Sequence, residues 1–429
     1  MDTLTLMPEP SRDGRVTVAA LYVVIDAGAP RAGSRHLLRG LDRVTIGRGP
    51  VHAAHRDRTQ LRVALPDRHL SSEHVAIERG LGGWTIRDLG SKNGVVVNGE
   101  RVTARSLDDG DWIEIGETLL RLRAVRVPAT TADDLLGASD GTIVPAAEHA
   151  LQRLADAAPG AVSVLLFGET GVGKRYVARR LHDASKRTGG FASLRCAGLD
   201  AASAARALFD ARGALRAADH GTLVLDEIAD LPLPTQATLV RVLQERELLS
   251  LGEVRATPID VRVIGITLRD LDREVAAGRL RADLYALLAG VRVTLPPLRD
   301  RIEDLGAIVA ALLARHAPGR GLGLTPSAAW ALCRHRWPLN IRELDHAIAV
   351  SAAATRGDRI AAEHWPEPLI GRGIARHEAQ SARRDELHGL LRDHRGNLAA
   401  VARAMSTSRA QIHRLLRRFE LDPDAYRAT

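Results

Sequence analysis

The sequence predicts a multidomain chain: an all-β sandwich, then an α/β domain with a helical extension, then an all-α tail. Three observations carry this. Short alternating strands punctuated by Gly, Asn and Asp fill residues 16–125, apolar strands alternate with helical stretches over 143–313, and helical periodicity prevails from 314 onward. The length of 429 residues fits more than one domain.

Composition narrows the class. Apolar residues make up 45% and charged residues 26%, the balance of a globular chain. No apolar run reaches the roughly 18 residues that span a bilayer, and the N-terminus MDTLTLMPEPSRDG has acids and prolines where a secretory signal would be basic and then apolar. Cys196 and Cys333 stand in no metal-ligand spacing. A membrane or secreted protein is therefore not expected, and a reducing cytoplasm is the expected location. The net charge of +8 points weakly to a polyanionic partner, since a chain with only three lysines (Lys92, Lys174, Lys186) owes its arginines largely to compositional bias.

In chain order, the segments VTVAALYVVI, RVTIGR, VAIER, GWTIRDL, GVVVNG and WIEIGETLLRLRAV read as the strands of a sandwich over 16–125. Residues 126–142, rich in Thr, Ala and Asp, have no firm period and are expected as a linker. Strands VSVLLF, TLVLDE and VRVIGIT alternate with helices over 143–313 and predict a parallel sheet. Residues 314–370 form a helical lid, 371–382 a second linker, and 383–429 three amphipathic helices.

The first chemical signal lies in the α/β domain. Strand Val162–Phe167 runs into Gly168-Glu169-Thr170-Gly171-Val172-Gly173-Lys174 and then a helix, the context of a phosphate-binding loop. Its glycines let main-chain N–H groups face a phosphate, the helix N-terminus adds its dipole, and Lys174 adds a charge. The buried-type strand Thr222–Leu225 then ends in Asp226-Glu227. Asp226 would hold Mg2+ through water and Glu227 would polarise an attacking water, so ATP and Mg2+ are the expected ligands.

The surrounding segments PTQATLVRVLQERELLSLG, IDVRVIGITLRDL, GRLRADLYALL, LPPLRDRIEDL and WPLNIREL closely resemble, over about 141–348, the AAA+ domain of bacterial enhancer-binding proteins, the activators of sigma-54 RNA polymerase. The resemblance implies a ring-forming ATPase. Arg281 matches the arginine finger supplied to a neighbouring protomer and Arg342 the sensor arginine of the lid, both suited to charge on a γ-phosphate. Four departures stand out. The family's GAFTGA loop, which touches sigma-54, is essentially absent between Phe209 and Thr222, with Gly213-Ala214-Leu215 as a remnant. Arg195 replaces the switch asparagine, Leu268 the sensor asparagine and Leu287 the second finger arginine. Leucine side chains donate no hydrogen bonds, so chemistry is lost at two of these positions. Arg175 follows Lys174, where many phosphate loops carry Ser or Thr for Mg2+ and this family generally carries Glu. Nucleotide binding is expected, fast hydrolysis and sigma-54 remodelling are not.

Thr45-Ile-Gly-Arg48, Ser71-Ser-Glu-His74, the run from Trp84 to Gly94, and Val97-Asn98-Gly99 resemble the forkhead-associated (FHA) domain over about 20–123. This implies a loop site for phosphothreonine, whose near-double negative charge needs charge-assisted donors. Arg48 and Ser71 match the phosphate contacts, Asn93 the contact to the peptide backbone, and Lys92 adds charge. Ser72 stands where the family often has Arg or Asn. Gly47, His74, Asn98 and Gly99 read as loop-fixing residues.

At the C-terminus RDELHGLLRD, a turn at His394–Asn397, LAAVARAM and RAQIHRLLRRFEL resemble the Fis-type helix-turn-helix over about 383–421. Ser408 is a good N-cap. Ile412, Leu415, Leu416 and Phe419 would face inward, leaving Arg409, Gln411, His413, Arg414, Arg417 and Arg418 for DNA, early side chains at base edges and later arginines at phosphate. Ser406 replaces the usual turn glycine. A dimerisation bundle is the other reading, but residues 371–429 hold twelve arginines against seven acids, which favours DNA.

The expected function is a DNA-binding transcriptional regulator that binds ATP and senses phosphothreonine. Its partners would be an upstream or enhancer DNA site, a phosphothreonine protein and further copies of itself in a ring or dimer, with no membrane. Two alternatives stay open: an ATP-hydrolysing activator that engages sigma-54 RNA polymerase, and a phosphopeptide-binding scaffold with a vestigial nucleotide site.

Overall fold

The computed structural model describes residues 14–367 except Ala27, Ala32 and 138–141, and beyond them 387, 389–405, 407, 412–413, 415–416 and 423–426. Two sheets of seven and six strands form the N-terminal sandwich, antiparallel throughout except where Arg43–Arg48 and Gln60–Leu65 pair in parallel in the second. The long strands Arg15–Ile25 and Thr118–Pro128 pair along most of their length at the centre of the first sheet. Side chains alternate across such a strand, so Leu21 and Val23 enter the sandwich core with Ile46, Ile77 and Leu120. The opposite face, Val18, Ala20, Tyr22 and Val24, is also buried, in a second core shared with the lid.

Residues 126–142, expected as a linker, are held on the sandwich. Arg126–Pro128 complete the long strand, and Asp134–Leu136 pair antiparallel with Ser34–Leu37. Charge holds this strap, which is why no hydrophobic period marks it. Arg39 donates to Asp133 and to the carbonyls of Ala129 and Thr131. Asp134 accepts from His36 Nδ1 at 2.7 Å and from Arg56 at 2.5 and 2.9 Å. Burial pushes the Asp134 carboxyl up, but these bonds outweigh it and hold it well below the ordinary range, while burial lowers the His36 pKa against the pull of Asp134.

The α/β domain is a five-stranded parallel sheet in the order Phe191–Arg195, Thr222–Asp226, Arg262–Thr267, Val164–Phe167, Val291–Thr294. Its central strands are apolar on both faces because helices cover both. Helices Leu305–His316, Pro326–Arg334 and Asn340–Ala354 make the lid, with a ribbon of Gly323–Leu324 and Arg359–Ile360. The first of these helices crosses the expected boundary at 313/314 and packs in the same core as the other two.

Sandwich and lid meet over a buried seam. Trp112 and Trp330 stack edge to face at 5.7 Å, and Trp330 Nε1 donates to Glu114 at 2.5 Å. Buried Glu303 accepts from Arg121 at 3.1 Å and Arg123 at 2.9 Å.

Of the tail, helix Leu398–Ala404 is capped by Asn397 and buries Leu398 and Val401 with Leu387, Leu391, Ile412, Leu415 and Leu416. Among the expected DNA-contacting residues His413 is exposed. Arg409, Gln411, Arg414, Arg417 and Arg418, together with Ser406, Ser408 and Phe419, lie outside the described residues. No helix among the described residues is long and apolar enough to cross a membrane.

Candidate functional site

The phosphate loop sits at the C-terminal edge of the parallel sheet, between strand Val164–Phe167 and helix Lys174–Ala184. That helix has no side-chain N-cap, so its first N–H groups are left for another acceptor. Gly171 adopts φ 81°, and a Cβ there would stand 2.1 Å from the Leu339 carbonyl oxygen. Only glycine lets the lid approach this closely.

Lys174 is buried, and its ammonium donates to the carbonyls of Gly168 at 2.6 Å and Glu169 at 3.1 Å. Burial lowers its pKa, and the nearby carboxylates of Glu227 and Asp226 partly restore it, while Arg342 lowers it further. The sequence-predicted Asp226, Glu227 and Arg342 thus gather within electrostatic reach of Lys174.

Asp226 ends the strand Thr222–Asp226, beside the central strand Arg262–Thr267. Glu227 follows with φ 56° and ψ 56°, a left-handed conformation rare for a residue of this shape and held by the elements around it. Burial raises the Glu227 pKa, opposed first by the main-chain N–H of Leu268 and then by Lys174. At the position where the family resemblance expects an asparagine, the main chain of Leu268 therefore supplies a donor and its side chain lies exposed.

The other predicted residues distribute around this centre. Arg175 turns away, donating to Ser193 at 3.0 Å. Arg195 is exposed at the end of its strand, level with Asp226. Leu287 packs against the core of the α/β domain. Arg281 lies exposed, paired with Asp283 at 2.7 Å, and none of its hydrogen bonds reaches the phosphate loop. Gln236, which the sequence did not single out, holds the turn before it. Fully buried, Gln236 donates to the carbonyls of Leu231 and Arg279 and accepts from the Arg281 N–H at 2.8 Å.

A second missed group clamps the loop from the lid side. Glu169 pairs with Arg299 at 2.5 and 2.8 Å, Asn340 donates to Glu169 and to the Thr170 carbonyl, and Arg301 donates to the Val172 carbonyl at 3.0 Å. The short connection from Phe209 to Thr222 contains only the four-residue helix Ala214–Ala217, with Leu215 buried and Arg216 bonded to Thr257. Leu215 and Ala218 join the core of the α/β domain.

The residues present fit a magnesium–nucleoside triphosphate. The loop offers uncapped N–H donors and a buried cation, and Asp226 stands beside them. Among the described residues no cluster of three or more His, Cys, Asp and Glu could hold a metal by itself, and Mg2+ is commonly held by one or two carboxylates together with nucleotide phosphates.

The sandwich loops form a second candidate site. Gly47 passes so close to the adjoining loop that a Cβ would stand 2.0 Å from the Ser72 carbonyl. The Arg48 N–H donates to the Ser71 carbonyl at 2.9 Å, while its guanidinium is exposed with no bonded partner among the described residues. Buried His74 accepts from the Ser71 N–H at 3.2 Å, which makes its other nitrogen the donor to the Gly94 carbonyl at 3.1 Å. The Ser71 hydroxyl accepts from the Lys92 N–H at 3.3 Å, and Asn93 donates to the His69 carbonyl at 2.7 Å. Arg48, Ser71, Ser72, Lys92 and Asn93 are thereby gathered on one edge. Asn98, at φ 52°, instead braces Asp111 and Trp112.

Comparison with known proteins agrees with this layout. Residues 142–294 match the family "Sigma-54 interaction domain", residues 44–116 the FHA domain and residues 299–382 the "AAA+ ATPase lid domain". The acetoin catabolism regulatory protein of Cupriavidus necator is 37% identical over 301 residues, 63% of this chain and 45% of that protein. The anaerobic nitric oxide reductase transcription regulator NorR of Citrobacter koseri is 37% identical over 296 residues, 61% of this chain and 58% of that protein. The chain thus spans about half the length of these curated relatives. Among solved structures, NtrX from Brucella abortus in complex with ATP aligns with a TM-score of 0.48 at 28% identity, covering 65% of this chain and 69% of that one. A structure from work on phosphothreonine-dependent FHA domain interactions aligns with a TM-score of 0.19 at 28% identity, over 25% of this chain and 96% of that one.

Proposed function

We propose that this chain, which carries an FHA domain, a sigma-54 interaction domain and an AAA+ lid, is a DNA-binding transcriptional regulator of the sigma-54 activator type, in which bound ATP and a bound phosphothreonine govern how the C-terminal DNA-binding segment is displayed. The observation that carries the reading is the convergence on one loop of buried Lys174, the uncapped helix N-terminus, Asp226, Glu227 and Arg342. Lys174, with main-chain N–H groups, would bind the phosphates, Asp226 would hold Mg2+, and Glu227 would orient a water. Arg281, exposed and bonded through its guanidinium to Asp283 rather than to its own phosphate loop, would exchange that surface pair for the nucleotide of a neighbouring protomer in a ring or dimer. Arg48, Ser71 and Asn93 receive a phosphothreonine protein, with Lys92 and Ser72 at the rim. The basic tail, including His413, binds upstream or enhancer DNA.

Direct remodelling of sigma-54 RNA polymerase is not part of this reading. The short connection from Phe209 to Thr222, packed down through Leu215 and Arg216, supports leaving it out. The replacement of polar side chains by Leu268 and Leu287 supports slow hydrolysis. The retained Glu227 favours the alternative of an ATP-hydrolysing sigma-54 activator.

Steady-state ATP turnover by the full chain, with and without operator DNA and sigma-54 RNA polymerase, tests the proposal. The expected result is nucleotide binding with slow turnover that the polymerase does not change. Turnover stimulated by sigma-54 polymerase together with open-complex formation would establish the alternative.

A further inference from the structure

Asn340 begins the lid helix Asn340–Ala354, two residues before Arg342. It is fully buried and has φ 55°, a left-handed conformation that asparagine tolerates better than most residues. Its side chain makes three bonds at once. Oδ1 accepts from the Leu298 N–H at 2.8 Å, and Nδ2 donates to Glu169 at 3.1 Å and to the Thr170 carbonyl at 3.0 Å. Arg299 grips Glu169 from the other side, and the Arg299 bonds, followed by the Asn340 bond, hold its carboxyl at about 2. The next N–H, of Ile341, donates to the Gly171 carbonyl at 3.0 Å. Arg342 itself is exposed and has no hydrogen-bond partner among the described residues, so the placement of its guanidinium depends on where the helix start is held.

We propose that Asn340 is a positioning residue of the nucleotide site. By tying Glu169 and Thr170 to the first turn of the lid helix, it sets Arg342 where a guanidinium can distinguish a nucleoside triphosphate from a diphosphate. A forked donor loses its advantage when displaced by an ångström or so, and Arg342 has no local bond to correct its aim. The loop's glycines carry no side chains, so beside the main-chain bond from Ile341 to Gly171 the side-chain tie between loop and helix start runs from Asn340 to Glu169 and the Thr170 carbonyl. The inference rests on the nucleotide reading above.

Two variants test it in the full chain, each titrated with ATP and with ADP at equilibrium. Asn340→Asp keeps the shape, the left-handed preference and the acceptor for Leu298, but replaces both donors with carboxylate oxygen facing Glu169. Glu169→Ala cuts the same link from a half-exposed position and spares the buried core. Each is expected to reduce the preference for ATP over ADP about tenfold, the effect of one charge-assisted bond, as Arg342→Ala does. Neither is expected to reduce the preference further when combined with Arg342→Ala. An unchanged preference in both folded variants, an equal loss of ATP and ADP affinity, or additive losses in the double variants would overturn the inference. A wild-type chain that binds neither nucleotide would overturn the nucleotide reading itself, and this inference with it.

Discussion

The Glu117 carboxylate receives both terminal nitrogens of Arg359, at 2.8 and 2.9 Å, across the seam between the sandwich and the lid. Arg359 also donates to the Leu324 carbonyl, and the Leu324 N–H bonds the Gly28 carbonyl at 2.7 Å. From Glu117 the bonds continue inward. The Glu117 N–H and the Thr118 hydroxyl donate to buried Asp67, whose other oxygen accepts from the His69 N–H. The His69 carbonyl is the acceptor for Asn93. The loops proposed to hold phosphothreonine are therefore bonded, residue by residue, to the lid that clamps the phosphate loop.

Arg359→Ala leaves the partly buried Glu117 carboxylate without its partner. The expected cost is about 1–3 kcal/mol. Urea unfolding followed by tryptophan fluorescence checks this, since Trp112 and Trp330 flank the same seam. A change within about 0.3 kcal/mol would mean that the pair contributes little to docking.

Trp330 is the apolar counterpart. It contacts Trp112, donates to Glu114 and lies under the Arg334 guanidinium at 4.5 Å. Trp330→Ala removes a buried indole from the shared core and is expected to cost about 3–5 kcal/mol. Trp330→Phe keeps the packing and loses chiefly the bond to Glu114, about 1 kcal/mol. The ratio of the two losses, measured by denaturation, separates packing from hydrogen bonding.

Arg48→Ala should weaken binding of a phosphothreonine peptide about tenfold or more, because a charge-assisted contact is lost. The melting temperature should hardly move, since the guanidinium has no internal partner to leave behind. Retained affinity, read by fluorescence anisotropy, would count against the loop site.

Asp304 gives a pH signature. It is fully buried, accepting from the Thr142 hydroxyl at 2.6 Å and the Ile143 N–H at 2.7 Å where the α/β domain begins. Burial pushes its carboxyl up from 3.8 to about 6 against those bonds. The folded state then holds this proton more tightly than the unfolded state, so the contribution of Asp304 to stability falls as pH rises through that window. Lowering the pH from about 7 to about 4 should raise the stability of the wild type relative to Asp304→Asn. A difference that stays flat across the window would contradict the assignment.

Much of this was legible in the sequence. The phosphate loop and the strand before Asp226 announce themselves because a glycine loop between an apolar strand and a helix has few other uses. The seam was not. Trp112, Glu303, Trp330 and Arg359 lie far apart in the chain, and each reads alone as an ordinary surface side chain. One hint was available: Tyr22 and Val24 alternate with Leu21 and Val23, so strand Arg15–Ile25 is apolar on both faces and needs cover on both. The strap at Asp133 and Asp134 escaped for a different reason, since arginine and histidine bonds leave no periodic trace. Asn340 stood in plain view in WPLNIREL, yet its three bonds depend on a left-handed turn that spacing does not reveal.

The most direct measurement of the central claim is calorimetric titration of the full chain with ATP and Mg2+, beside Lys174→Ala. Saturable binding at or below millimolar ATP, abolished by Lys174→Ala without loss of fold, is the predicted result. No heat of binding at millimolar ATP, or an affinity unchanged by the substitution, would contradict it.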